Sequence, residues 1–164
     1  MDKFDEFVSK AGLNRQPHQY NGVRWMLKRE TSVHHVRGGL VADEMGLGKT
    51  IQIIGVIMSN FLSHTLIVLP LAILSQWHEQ IYKFTGHSAI IYHGANKKLI
   101  SDEKLRNAPI VLTTYGHISV RRPGNSLNIL HHIKWDRIVF DEAHHLRNIN
   151  SCAHIGATRI QSPI

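Results

Sequence analysis

The sequence predicts an α/β fold, a doubly wound and mostly parallel sheet with helices on both faces. Three observations carry that prediction. Short apolar runs recur at Gly39–Ala42, Leu66–Leu69, Ala89–Tyr92, Ile110–Leu112 and Arg137–Phe140. They do not alternate polar with apolar residues, which is how strands buried on both faces of a parallel sheet read. Helical stretches lie between most of them, and strand–helix alternation of this kind closes by right-handed crossovers.

Each element follows in order. The first dozen residues form a short helix or a loose end, an extension over residues 1–12 ahead of one domain at 13–164. Tyr20–Arg29 places Val23, Met26 and Leu27 at helical spacing. Lys49–Leu62 and Leu71–Phe84 predict the main crossover helices, and Ser151–Arg159 a later one. Arg121–Ser126 reads as a loop, with Pro123 and Gly124 as its breakers. No internal repeat or low-complexity stretch interrupts the series.

Composition narrows the function classes. A chain of 164 residues is enough for one buried core. The apolar run Thr65–Leu74 is too short to span a bilayer and contains Pro70. The charged start, Asp2-Lys3-Phe4-Asp5-Glu6, lacks the apolar centre of a signal peptide. Cys152 is the single cysteine, so an internal disulfide is impossible and a reducing compartment, nucleus or cytoplasm, is expected. With 19 Lys+Arg against 12 Asp+Glu, the net charge of +7 suits a polyanionic partner such as nucleic acid.

The chemistry concentrates in two segments. Asp43-Glu44-Met45-Gly46-Leu47-Gly48-Lys49-Thr50 follows an apolar run and opens a helix, the setting of a phosphate-binding loop. Gly46 and Gly48 let backbone N–H groups turn inward around phosphate oxygens. Lys49 is placed for β- and γ-phosphates, the Thr50 hydroxyl for Mg²⁺, and the helix N-terminus adds partial positive charge. The strict pattern begins with Gly where this chain has Asp43. The second segment, Asp141-Glu142-Ala143-His144, follows the apolar run Ile138-Val139-Phe140. Carboxylates at the C-terminal end of such a strand reach the ligand crevice of an open α/β sheet. Asp141 is then a Mg²⁺ ligand and Glu142 the group that orients and deprotonates an attacking water. The plain rivals are a strand-to-helix turn with coincidental glycines and an acidic first turn of a helix.

These residues resemble motifs I and II of the SWI/SNF-type ATPases, superfamily 2 helicase-like DNA translocases, and the likeness accounts for Asp43. It continues through Leu66-Ile67-Val68-Leu69-Pro70 with Gln76-Trp77, similar to motif Ia, and Val111-Leu112-Thr113-Thr114-Tyr115, similar to motif Ib. Gln19 resembles the adenine-reading glutamine. The resemblance implies a RecA-like lobe of the P-loop NTPase class, ATP and Mg²⁺ as cofactors, and double-stranded DNA gripped without regard to sequence. It implies adenine contact at Gln19 and phosphate contact along Asp43–Thr50. It places DNA contact at Pro70, Gln76, Thr113 and Thr114, and nucleotide-to-DNA coupling at His144. Trp25-Met26-Leu27-Lys28-Arg29-Glu30 leans towards the repair and ubiquitin-ligase branch. Each site has an ordinary rival: Gln19 as a surface residue, the threonines as strand formers. Trp25, Trp77 and Trp135 read as packing residues rather than stacking platforms. The histidine pairs 34–35, 131–132 and 144–145 lack metal-ligand spacing.

The family motor has two lobes, and the second supplies the arginine that neutralises the transition state. This chain is expected to stop before motif III, with Gly156-Ala157-Thr158 only an echo of it. Two functions stay open on the sequence: the ATP-binding lobe of a DNA translocase acting on duplex DNA or chromatin, or a nucleotide- or DNA-binding module without turnover. A small P-loop kinase has no use for Asp141-Glu142-Ala143-His144.

Overall fold

All four strands of the sheet begin where an apolar run begins or within one residue of it, and the two central ones bury both faces, as only the inside of a sheet allows. The computed structural model describes residues 2–32, 37–44, 46–120 and 127–164. Helices α1 (Asp2–Lys10), α2 (Pro17–Glu30) and α3 (Lys49–Ser59) precede strand β1 (Thr65–Leu69). Helix α4 (Leu74–Thr85), strand β2 (Ile90–Ile91), helix α5 (Asp102–Arg106) and strand β3 (Ile110–Thr114) follow. The short helices α6 (Tyr115–Ile118) and α7 (Ile129–His132), strand β4 (Arg137–Phe140) and helix α8 (Cys152–Ala157) complete the order.

The chain divides into two compact units. The first runs from the N-terminus to Leu62 and includes Glu79–His87 and Ile164. Its three helices pack by amphipathic faces. Pro17 stands at the first turn of α2, where its missing N–H costs nothing. In α1, Phe4, Phe7 and Val8 are buried, with the Phe4 ring edge-on to Tyr20 at 4.8 Å between centroids. The extension is therefore a packed helix of this unit, not a loose end. Helix α3 ends at Ser59, short of the expected Leu62. Asn60 leaves helical geometry at φ −133° and its side-chain amide donates to Glu30 at 2.8 Å, a partner thirty residues away.

The second unit spans Ser63–His78 and Ser88–Pro163 and holds the sheet, in strand order β2-β3-β1-β4 with every pair parallel. All five residues of β1 and all five of β3 are buried, as expected for strands covered on both faces. The edge strands β2 and β4 are mostly half-buried. One expected strand is absent. Gly39–Ala42 forms no ladder among the described residues; apolarity supplies a buriable face, but a strand also needs a neighbour for its N–H and C=O groups. The expected loop Arg121–Ser126 lies outside the described residues.

The core of this unit gathers Leu66, Val68, Val111, Ile118, Leu130 and Trp135. The Trp135 indole N–H donates to the Leu130 carbonyl at 2.9 Å, so this fully buried ring carries no unpaired polar group. Helix α8 falls within the expected Ser151–Arg159 and starts where the Ser151 hydroxyl accepts from the His154 N–H at 3.1 Å. It meets α6 at Gly156, where a methyl group would overlap the Ile118 carbonyl oxygen.

Gly156→Ala is accordingly predicted to destabilise the fold by about 1–3 kcal/mol, the usual cost of overpacking a closed contact. Urea denaturation checks it through the midpoint at constant slope. An unchanged midpoint would show that α6 and α8 separate without cost.

Candidate functional site

In the first unit the phosphate-loop residues form a turn whose backbone needs glycine. Gly46 and Gly48 have φ of 87° and 77°, in the left-handed region open to glycine at no steric cost. Met45, between Glu44 and Gly46, lies outside the described residues. The Lys49 ammonium folds back over the turn and donates to the carbonyls of Asp43 at 2.7 Å and Glu44 at 3.1 Å. Thr50 is half-buried on the first turn of α3. Asp43, which stands where the strict pattern has glycine, accepts a 2.9 Å hydrogen bond on its carboxylate from the Gln52 amide. Gln52 is fully buried on an otherwise apolar face of α3, a signal sequence reading passed over.

Helix α2 braces the same loop. Gln19 donates to the Leu47 carbonyl at 3.3 Å, and a methyl group on Gly48 would overlap its amide. The His18 imidazole bonds the same carbonyl at 3.0 Å, a contact nothing in the sequence announced. Trp25 is 42% exposed, so it packs on Gly39 at the surface instead of entering the core. Trp77 and Trp135 are buried as expected.

In the second unit, parallel pairing carries each strand end to one level. Leu69 faces Thr114 across β1 and β3, and Val68 faces Phe140 across β1 and β4. The Asp141 N–H continues that ladder by donating to the Val68 carbonyl at 2.9 Å. The Asp141 carboxylate then receives the Trp77 indole N–H at 2.8 Å on one oxygen and the Glu142 N–H at 3.0 Å on the other. The Tyr115 hydroxyl donates to the Asp141 carbonyl at 2.7 Å. Burial first, then the charges of Asp141 and Glu142, push the Tyr115 phenol far above its ordinary pKa, so it remains a donor. Neither Trp77 nor Tyr115 was expected to hold the acid, because partners 64 and 26 residues away leave no local pattern.

Glu142 has φ 53°, the one non-glycine among the described residues in that region. The turn redirects the chain from strand into the 3₁₀ segment Ala143–Leu146. Its carboxylate meets the His144 ring at 3.2 Å. The rings of Tyr115, His145 and His144 stack in series, at 4.8 Å and 4.6 Å between successive centroids.

The remaining expected residues sort by exposure. Pro70 caps the 3₁₀ turn after β1, and Gln76 is exposed on α4. Thr113 is fully buried and its hydroxyl donates to the Tyr92 carbonyl at 2.9 Å, so that side chain is spent inside the sheet. The Thr114 hydroxyl lies 3.0 Å from the His117 ring at the strand's end. No described helix is long and apolar enough to cross a membrane.

Known proteins are similar to this chain in sequence and fold. The model of the SNF2-related domain matches residues 18–163. The ATP-dependent DNA helicase DDM1 of Arabidopsis thaliana is 36% identical over 157 residues, covering 84% of this chain and 19% of that protein. The DNA repair protein rad8 of Schizosaccharomyces pombe is 33% identical over 187 residues, covering 91% of this chain and 16% of that protein. The solved SWI2/SNF2 ATPase core of Sulfolobus solfataricus in complex with dsDNA superposes with a TM-score of 0.74 at 30% identity, covering 92% of this chain and 30% of that one. This chain thus spans less than a fifth of either curated relative.

Tyr115→Phe keeps the ring stack but leaves the Asp141 carbonyl without its donor. A loss of about 1–2 kcal/mol is expected in chemical denaturation, the range for an orphaned, partly buried acceptor. A loss near zero would mean that the hydroxyl does not position Asp141.

Proposed function

Because the chain belongs to the SNF2-related family, we propose that it is the nucleotide-binding lobe of an ATP-driven motor that moves on double-stranded DNA. The observation that carries the reading is the Lys49 loop. Two left-handed glycines, a lysine ammonium turned onto the turn and a helix starting at Lys49 make an oxyanion-binding arrangement. In this role Lys49 exchanges the Asp43 and Glu44 carbonyls for phosphate oxygens. Gln19, already bonded to the loop, reads adenine, so base recognition and loop geometry depend on each other.

Mg²⁺ favours hard oxygen ligands, and the proposal assigns it the Thr50 hydroxyl of the first unit and, separately, the Asp141 carboxylate of the second. Each Asp141 oxygen uses one lone pair on its N–H donor and keeps another for a ligand. Bound Mg²⁺ would neutralise charge on the phosphate oxygens. Glu142, displaced from the strand line by its left-handed turn, orients the attacking water and accepts its proton, while His144 on its carboxylate carries the state of that acid towards the DNA-side segments. Pro70, Gln76 and Thr114 contact the DNA backbone, which carries no sequence information and suits a motor that steps over any base. The same surface on chromatin, in a nuclear setting, is part of this reading.

A second reading is nucleotide or DNA binding without turnover. Hydrolysis requires positive charge where it develops on the transferred phosphoryl oxygens. The proposal assigns that charge to an arginine of a second lobe.

Calorimetry with Mg²⁺·ADP tests the loop. Lys49→Ala is expected to weaken binding at least about a hundredfold, the loss of a charge-assisted phosphate contact of roughly 3 kcal/mol, with an unchanged denaturation curve. Equal affinities would remove the assignment. A phosphate-release assay tests turnover: the 164-residue chain is expected to show no duplex-stimulated rate, and a chain extended through a second lobe a rate abolished by Glu142→Gln. Turnover by the short chain that survives Glu142→Gln would place the base elsewhere.

A further inference from the structure

At the C-terminal ends of β2 and β3, four side chains converge that the nucleotide chemistry does not use. The His93 and His117 rings approach through their Nδ1 atoms at 3.3 Å. The Thr114 hydroxyl lies 3.3 Å from the first and 3.0 Å from the second. The Lys97 ammonium stands 3.4 Å from His117 Nε2. His93, Lys97 and His117 are half-buried and Thr114 beside them is buried, so the group is fixed by packing and its three basic members reach solvent.

We propose that His93, Lys97 and His117, gathered around Thr114, form a binding site for one phosphodiester group of a nucleic-acid backbone. The inference rests on the duplex-DNA reading of Thr114 given above and extends it to three residues outside the motifs. Three basic groups packed within hydrogen-bond distance repel one another once charged, and an anion among them reverses that cost. Their protonated forms are all donors, as is the Thr114 hydroxyl, which matches the acceptor-only oxygens of a phosphodiester. Lys98, exposed beside Lys97, extends the basic surface along the strand ends.

The groups facing His117 decide the sign of its titration. Burial, then Lys97, then His93 hold its imidazole below the ordinary value. Tyr92 packs edge-on to its ring, and the acid that acts on Tyr92 is Asp102. From α7, His131 is engaged by Asn128 and the Ile118 carbonyl, and next to it stands His132. From α8, His154 is engaged by the Leu146 carbonyl. The charged neighbours that act on His117 are therefore both basic. The Nδ1–Nδ1 contact also requires one of the two rings to accept, so both cannot be cations while it lasts. A phosphodiester favours the imidazolium, giving the bound state the higher pKa. Binding then takes up a proton. Affinity is flat at alkaline pH, rises as pH falls through the bound-state pKa, and levels below the free-state one.

Fluorescence anisotropy with random-sequence duplex DNA, at constant ionic strength, tests the site on the full chain. Wild type is expected to bind at least roughly threefold tighter near pH 6 than near pH 8. His117→Gln should flatten that dependence. Lys97→Gln should weaken binding at every pH and lower the salt slope by about one. Inorganic phosphate forms the second arm, read by the His117 imidazole resonances. It is expected to shift them less than duplex does at matched charge. Saturation by inorganic phosphate with DNA binding indifferent to pH and to both variants would assign the site to a free anion and overturn the proposal. Tight, salt-dependent DNA binding that neither variant alters overturns it too, and leaves the duplex reading standing. No binding by wild type at any pH removes both.

Discussion

The parallel ladder that β1 makes with β3 on one side and β4 on the other fixes the level of the strand ends that carry chemistry in the sheet. Leu69 stands opposite Thr114, Val68 opposite Phe140, and the ladder runs one bond further to the Asp141 N–H. A slip of one residue in either pairing would turn every β-strand side chain to the opposite face. With all five residues of β1 buried, such a slip carries a heavy cost. The acid just after β4 and the hydroxyl that ends β3 therefore owe their level to pairing with β1.

From that base, aromatic donors finish the positioning. Trp77 and Tyr115 grip Asp141 from α4 and α6, one on the carboxylate and one on the main chain. Tyr115 then passes contact through His145 to His144, whose ring touches Glu142. The Glu142 carboxylate thus touches the exposed end of a ring stack whose inner end, Tyr115, holds the Asp141 main chain. The phosphate loop is organised differently, by backbone geometry at Gly46 and Gly48 and by main-chain acceptors for Lys49, Gln19 and His18. That difference suits the two proposed tasks, a loop that exchanges carbonyls for phosphate and an acid held in place.

The sequence was legible where burial alone decides structure. Continuous apolar runs located all four strands, β1 and β3 through burial on both faces and the half-buried edges β2 and β4 through apolarity alone. Gly39–Ala42 has the same composition and forms no strand, since composition cannot report a pairing partner. Helix α3 was expected to run to Leu62 and stops at Ser59, where Asn60 turns to Glu30, a partner set by tertiary packing. The candidate motif residues were legible only as a spacing that phosphate chemistry would dictate. Their supports were not: Gln52 on Asp43, Trp77 on Asp141 and the His93–His117 pair are contacts between segments. Thr113 shows the opposite limit, a motif residue whose hydroxyl is consumed by the Tyr92 carbonyl.

The indole of Trp77 gives the central claim a direct readout, because its N–H lies on the Asp141 carboxylate while that of Trp135 lies on the Leu130 carbonyl. In nitrogen-labelled protein titrated with Mg²⁺·ADP, the Trp77 indole resonance is predicted to move with saturation and the Trp135 resonance to stay fixed. Saturating nucleotide that leaves Trp77 unmoved, or moves Trp135 as far, would contradict the assignment of Asp141 to the nucleotide's metal.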